Sequence, residues 1–210
     1  MEVDPEAAGA ETMWWGTKAG SRTSYKRIGA PHPEGSYGSV KSPEVLAGQI
    51  ADWAVAKFAE TGEWPDVMIK LSDGVSGMGN SRLLISELAE EWGLNAKTTP
   101  EELAAHIIEA YPTKLIYGGT DELTWSAYKD EMLRDGAVFE QYIHTPPGGT
   151  KISPSVQALV DEHGKVTVLS TQVQILGGPT KERYDGCESP APEGVRDRKS
   201  TRLNSSHQII

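Results

Sequence analysis

Residues 67–80, V-M-I-K-L-S-D-G-V-S-G-M-G-N, constrain the fold more than any other part of the chain. Val67, Met68 and Ile69 predict a short buried strand, Lys70 ends it, and Gly74, Gly77 and Gly79 mark a reversal. Arg82, Leu83, Leu84 and Ile85 predict the returning strand, so the stretch forms a hairpin with a glycine-rich tip. Such a tip has two readings. It is an ordinary turn, or it is a flap in which the missing Cβ atoms let backbone N–H groups close over an anion. Lysine precedes the glycines, so the order G-x-x-x-x-G-K-[ST] is absent, and no G-x-G-x-x-G lies between a strand and a helix. A P-loop and a dinucleotide-binding turn are therefore excluded.

The 210 residues carry a net charge of −10 with their basic residues dispersed. Nucleic acid and anionic membrane are thus not expected as partners, because neutralising phosphates needs a concentrated basic face. Hydrophobic content of 38% supports a core. The single cysteine, Cys187, permits neither an internal disulfide nor a cysteine zinc cluster, and reads as a packed thiol of a cytoplasmic protein. No apolar run approaches the roughly 20 residues of a bilayer span, and no signal-peptide pattern opens the chain.

Residues 1–12 are acidic, Ala-rich and aperiodic, which predicts disorder. From Arg196 the sequence R-D-R-K-S-T-R-L-N-S-S-H-Q-I-I changes character and resembles translated sequencing-adapter read-through, so 196–210 read as a non-native tail. Between these ends, helices are predicted over 22–28, stopped by Gly29, Pro31 and Pro33, and over 43–60, with Val45, Ile50, Trp53, Ala54 and Phe58 at helical spacing. Two more are predicted over 100–110, behind a Thr99 cap, and over 121–133. Strands are predicted over 138–143, 156–160 and 166–170, the last two joined at Glu162-His163-Gly164. The mixture is α+β.

A second lysine stands in G-T-K-A-G-S-R, ahead of I-G-A-P-H-P-E-G, and A-V-F-E-Q-Y-I places one acid in an apolar strand. Together with the hairpin, and with S-P-S-V-Q, V-L-S-T-Q-V-Q-I-L-G-G-P and Y-D-G-C, these motifs resemble the ATP-grasp enzymes over about residues 13–192. The chain looks closest to the pheganomycin-type peptide ligase branch, whose members share G-T-K-S-G-S-R, K-L-N-E-G-x-S-G-x-G-N, S-P-S-V-Q and L-G-G-P.

The resemblance implies a partial ATP-grasp fold. Residues 13–66 would be part of the first subdomain, 67–143 a lid subdomain with the glycine-rich loop and hinge, and 144–195 the start of the C-terminal antiparallel-sheet lobe. It implies that Lys18 and Lys70 neutralise ATP phosphates from opposite sides, and that Gly74, Ser76, Gly77 and Gly79 belong to a flap over the outer phosphates. Glu140, Gln141, Tyr142 and Ile143 would form the hinge, Glu140 accepting from the adenine amine and the Ile143 N–H meeting the ring. The Tyr142 side chain reads as core. Ser153, Ser155 and Gln157 stand where related enzymes place ribose or substrate contacts, although strand alternation equally puts them on a solvated face. T-Q-V-Q replaces the branch's T-H-D-Q, which leaves no acid–base assignment at Gln172 or Val173. Arg22 is a phosphate contact or an exposed helix arginine, and His144 and His163 read as surface residues.

The chemistry implied is that of a ligase that phosphorylates a small-molecule carboxylate with ATP and lets an amine attack the acylphosphate. Such enzymes bind Mg2+ through acids and an asparagine on later strands, in D-x-x-E or E-x-N arrangements, and none stands before the tail. The chain therefore reads as a fragment, inactive alone, with no residue assigned to catalysis or to a metal. A non-catalytic nucleotide-binding module of a larger protein is the alternative.

Overall fold

The computed structural model describes residues 10–75, 77–118, 123–145, 152–178 and 180–193. Ser76 and the tail from 196 lie outside them, as does the expected disordered start except for its last three residues, which open a helix.

Two helices come first, α1 (Ala10–Gly16) and α2 (Lys18–Ile28). The Thr17 hydroxyl accepts from the Gly20 amide at 3.0 Å, and Gly29 closes α2 in the left-handed region at φ 66°. The helix thus begins four residues ahead of the predicted 22–28, which brings Lys18 into its first turn. Next is α3 (Pro43–Thr61), opened by the Ser42 cap with Pro43 behind it. Its buried stripe is Leu46, Ala47, Ile50, Ala51 and Ala54, whereas Val45, expected there, is exposed.

There follow β1 (Val67–Leu71), β2 (Asn80–Leu83), the one-turn α4 (Ile85–Leu88), α5 (Pro100–Lys114), β3 (Ile116–Tyr117), α6 (Trp125–Asp135) and β4 (Ala137–Gln141). The chain then forms β5 (Ser153–Val160), β6 (Val166–Gly177) and β7 (Arg183–Glu188). Two antiparallel sheets result, ordered β3-β2-β1-β4 and β5-β6-β7.

Several elements differ from the sequence reading. Lys70 is not the last residue of its strand, and the returning strand is 80–83 rather than 82–85, because Ser81 and Leu83 pair with Ile69 and Val67. The apolar Ile85 is buried as the first residue of α4 instead. The strand predicted over 138–143 stops at Gln141, leaving Tyr142 and Ile143 beyond it, with Ile143 68% exposed. α5 opens on a reciprocal Thr99–Glu102 capping box and runs four residues past its predicted end. α6 starts at Trp125 behind Thr124; Asp121 and Glu122, where it was expected, lie outside the described residues. Cys187 on β7 is exposed rather than packed.

Alternation along the strands divides the first sheet into two faces. Val67, Ile69 and Leu71 of β1, Leu83 of β2, and Ala137 and Phe139 of β4 join the α3 stripe. Leu103, Ile107, Ala110 and Tyr111 of α5 and Tyr128 and Met132 of α6 complete this core. The opposite face carries Met68, Lys70, Asn80, Arg82, Val138 and Glu140. At the β4 side of that face lies α2, whose start is tied to the end of β1 by the Lys18 N–H donating to the Ser72 carbonyl at 3.0 Å. Backbone from residues 34–40 closes the outer edge of β4: the Ser36 amide donates to Phe139 O at 3.0 Å, the Gln141 amide to Glu34 O at 2.8 Å, and Val40 and Ala137 exchange a pair at 2.9 Å.

This core assignment predicts unequal costs for two helix substitutions. Ile107→Ala should lose about 2–5 kcal/mol through the cavity it leaves, while Val45→Ala should stay within about 0.5 kcal/mol of wild type. Urea unfolding measures both, and equal losses would contradict the division.

Candidate functional site

Glu140 is the centre of the polar face. It is buried, and its oxygens are divided between two cations, Oε1 lying 3.0 Å from Arg22 Nη1 and Oε2 2.6 Å from Lys70 Nζ. Burial pushes the carboxyl towards its neutral form, but Lys70 and Arg22 together outweigh it and hold the pKa below the ordinary value of 4.5. The register accounts for the meeting with Lys70, since Glu140 pairs with Met68 and so shares the face on which Lys70 follows.

Arg22 reaches Glu140 from α2. Its Nε donates to Ser36 O at 2.6 Å and its Nη2 to Pro33 O at 2.9 Å, so one guanidinium joins the helix, the 33–36 segment and β4. The residue is only 2% exposed, which corrects the reading of an exposed helix arginine, and its nitrogens are already engaged by protein groups.

Lys18 precedes Arg22 by one turn, and Tyr25 continues the same stripe of α2. Among the described residues the Lys18 ammonium has no hydrogen-bond or ion-pair partner. Burial and then Lys70 lower its pKa, with Glu140 opposing them. Burial and Glu140 likewise raise the Tyr25 phenol. Among the described residues three cationic side chains therefore stand around the Glu140 carboxylate, and a surplus of positive charge on a partly buried face attracts an anion.

The glycine-rich hairpin lies next to Lys70. Gly79 O accepts from the Leu71 amide at 2.9 Å, and the Gly74, Met78 and Asn80 amides donate to Leu71, Val75 and Gly77 carbonyls at 3.1, 2.9 and 3.2 Å. The Gly74 amide thus serves the turn itself. Gly77, at φ 82°, fits where it does because a Cβ there would collide with the Glu182 carbonyl between β6 and β7. The tip of the hairpin abuts the second sheet. Beneath it, Ser81 Oγ donates to the fully buried Tyr128 hydroxyl at 3.1 Å, which in turn donates to Gly79 O at 3.1 Å.

At the end of β4 the amides of Gln141 and, just beyond it, Tyr142 are taken by Glu34 and Asp66 carbonyls, the latter at 2.9 Å. The Ile143 amide has no acceptor among the described residues. The Tyr142 side chain is half-buried, not core: its hydroxyl accepts from Arg82 Nη1 at 2.9 Å, and its ring meets His144 edge-on. His144 is exposed yet not idle, its Nε2 lying 2.7 Å from Asp66 Oδ2, and Asp66 also accepts from the Ser86 amide and hydroxyl at 2.9 Å each. Gln157 is exposed on β5, its Oε1 accepting from Ser170 Oγ at 3.1 Å. Ser153 and Ser155 donate to Gln174 at 2.9 Å and Gln172 at 3.3 Å. Among the described residues no hydrogen bond or ion pair joins Ser155 or Gln157 to Glu140, Lys18 or Lys70.

Two residues of the polar face escaped the sequence reading. Arg82 shares the face of Met68 and Glu140, and alternation from Asn80 could have found it. Glu182, 3.6 Å from Arg82 Nε, reaches over from the connection between β6 and β7, which no local pattern encodes. Among the described residues no three of His, Cys, Asp and Glu are grouped to hold one ion. No helix among them is long and apolar enough to cross a membrane. An open hollow of about 470 Å3 lined by Trp15, Ser24, Arg27 and Ile28 lies apart from these charges and brings no polar groups to a point.

No family model and no curated protein matches the chain. Solved structures do. A biotin carboxylase from Campylobacter jejuni, in complex with β-γ-ATP, matches at 20% identity with a TM-score of 0.50, over 90% of this chain and 33% of that one. The biotin carboxylase domain of the Hydrogenobacter thermophilus 2-oxoglutarate carboxylase, in complex with MgADP, ADP and bicarbonate, matches at 21% identity and a TM-score of 0.48, with coverage of 90% and 33%. D-alanyl-alanine synthetase A from Vibrio cholerae matches at 14% identity and a TM-score of 0.42, with coverage of 90% and 46%. The chain therefore spans about a third of the length of the carboxylase structures that it matches. The Campylobacter likeness is one of fold, and the chain has the α+β architecture of part of an ATP-grasp fold.

The depressed pKa of Glu140 has a stability consequence of defined sign. A carboxyl lowered on folding stabilises above the unfolded value near 4.5, and that contribution is lost as pH falls through the folded value. Glu140→Gln should cost about 3 kcal/mol near neutral pH, because it strands two buried cations. Urea unfolding should show that difference narrowing as pH falls below 4.5 and through the depressed folded value; a pH-independent difference would sink the assignment.

Proposed function

We propose that this chain is the nucleotide-binding part of an ATP-dependent carboxylate–amine ligase of the peptide-forming kind, working through an acylphosphate in the cytoplasm. The observation that carries this reading is the meeting of Lys18, Arg22 and Lys70 around the carboxylate of Glu140, next to a glycine-rich hairpin. A triphosphate supplies the opposite surplus of charge.

In this reading Lys18, which lacks a hydrogen-bond or ion-pair partner among the described residues, and Lys70, which can leave Glu140, take phosphate oxygens from two sides. Glu140 accepts from the exocyclic amine of adenine, and the Ile143 amide donates to the ring. Gly77 and Gly79 keep the hairpin slim enough to lie over the phosphates, and the turn at Glu182 supports its tip. Phosphoryl transfer depends on positioning and charge neutralisation, so a site without a protein nucleophile suits it. The carboxylate substrate would gain the γ-phosphoryl group with release of ADP, and the amine would then displace phosphate. A hairpin closed over the site would keep water from that intermediate. Residues 13–66 contribute Lys18, 67–143 the lid and hinge, and 144–195 the start of the second lobe. No step is assigned to a metal.

Titration with a fluorescent ATP analogue tests the reading. Lys70→Ala and Lys18→Ala should each weaken binding by about ten- to a hundredfold, the worth of a charged hydrogen bond; unchanged affinity in both variants would remove it. ADP release dependent on an added carboxylate and amine marks a ligase, whereas binding without turnover matches a nucleotide-binding module.

The Lys18 shift adds a pH dependence. Its ammonium is lowered from the ordinary 10.5, so affinity should begin to fall on the alkaline side before an exposed lysine would lose its proton. Lys18→Arg should hold affinity to higher pH, and superimposable pH profiles would argue against Lys18 as a phosphate contact.

A further inference from the structure

We propose that Arg22 is a positioning residue, which holds Glu140 in place on the polar face when Lys70 is drawn onto a phosphate. The inference rests on the site reading above and extends it by separating base recognition from phosphate neutralisation.

Lys70 and Arg22 share Glu140 but not its surroundings. The Lys70 side chain is 15% exposed and ends in a compact ammonium on a flexible stem, with Glu140 as its ion-pair partner at 2.6 Å. A phosphate carries more charge than a carboxylate, so an incoming triphosphate competes for Lys70 on favourable terms. Glu140 is then left buried with one cation fewer, and burial drives a lone carboxyl towards its protonated form. A protonated Glu140 loses one acceptor oxygen and the charge that strengthens its bond to an amine.

Arg22 is built to stay. Its side chain is 3% exposed, and two of its nitrogens are fixed by main-chain carbonyls at Ser36 and Pro33. Those carbonyls are themselves locked to the strand that carries Glu140. The Ser36 amide donates to Phe139 O at 3.0 Å, the Phe139 amide donates to Ser36 Oγ at 3.0 Å, and Gln141 N–H donates to Glu34 O at 2.8 Å. Gly35 runs so close to β4 that a Cβ would collide with the Phe139 carbonyl. The guanidinium is thereby referenced to the backbone on either side of Glu140. Lys70 is the exchangeable partner and Arg22 the permanent one.

Calorimetric titration of the full 210-residue chain with ATP and with inorganic tripolyphosphate, which has the charge but not the base, separates these roles. Arg22→Met and Arg22→Lys should weaken ATP by about tenfold while changing tripolyphosphate by less than about twofold. A parallel fall in both ligands would make Arg22 a structural or phosphate-binding residue and overturn the proposal, as would no change in either. Should Arg22→Met fail to fold by circular dichroism, the double variant R22M/E140Q removes both charges. Its ATP-to-tripolyphosphate ratio should equal that of E140Q alone, because Arg22 acts through Glu140; additive losses would count against it. A wild-type chain with no preference for ATP would defeat the reading of the site itself, whereas a preference that survives Arg22→Met defeats only the role of Arg22.

Discussion

A carboxylate taken out of water must be matched by positive charge, and the polar half of this structure is organised by that requirement at Glu140. Removing either partner of a buried ion pair leaves a charge that the interior cannot solvate, at a cost of about 3–5 kcal/mol. Meeting the requirement fixes the side on which α2 lies, because Arg22 must reach across from it, and fixes the register of β1 against β4, because Lys70 must share the face. It also draws in the 33–36 segment, whose carbonyls complete the guanidinium's hydrogen bonds. The electrostatic centre is therefore also the joint between the first helices and the sheet.

The two faces of that sheet divide the work. One packs Val67, Ile69, Leu83 and Phe139 against three helices and supplies the apolar burial that stabilises the fold. The other is free to be polar because the first is sufficient. A four-stranded sheet one residue out of register would exchange these sets, burying Lys70 among leucines and turning Ile69 outward. Tyr128 guards the register from below, since its hydroxyl contacts Ser81 and the Gly79 carbonyl only in the observed pairing.

Local chemistry was readable where it is local. The apolar run Val67-Met68-Ile69, the Thr99 cap, the stop at Gly29 and the glycines of the hairpin all act within a few residues, and each marked its element. The returning strand was displaced by two residues because apolarity at Leu84 and Ile85 is equally compatible with a strand and with the turn of helix that buries Ile85. β3 has two residues and no period to detect. Arg22 illustrates a different limit: i+4 spacing from Lys18 places it on the right stripe of α2, but its burial depends on carbonyls from another segment and on a strand far along the chain. Tyr142 was assigned to the core by strand alternation, and the strand ends before it. At Arg82 and Glu182 the pairing arises only where two sheets meet.

The anchors of Arg22 at Pro33 and Ser36 are peptide oxygens, and main-chain acceptors do not change when side chains do. Substitution along 33–36 can therefore alter the surface of this segment and leave the guanidinium's acceptors intact, apart from Gly35, where space against Phe139 is lacking, and Ser36, whose hydroxyl oxygen accepts from the Phe139 amide. Insertion or deletion of one residue is another matter, since it slides every carbonyl past its nitrogen. In relatives that keep this clamp, the segment should be free to drift in composition and held fixed in length.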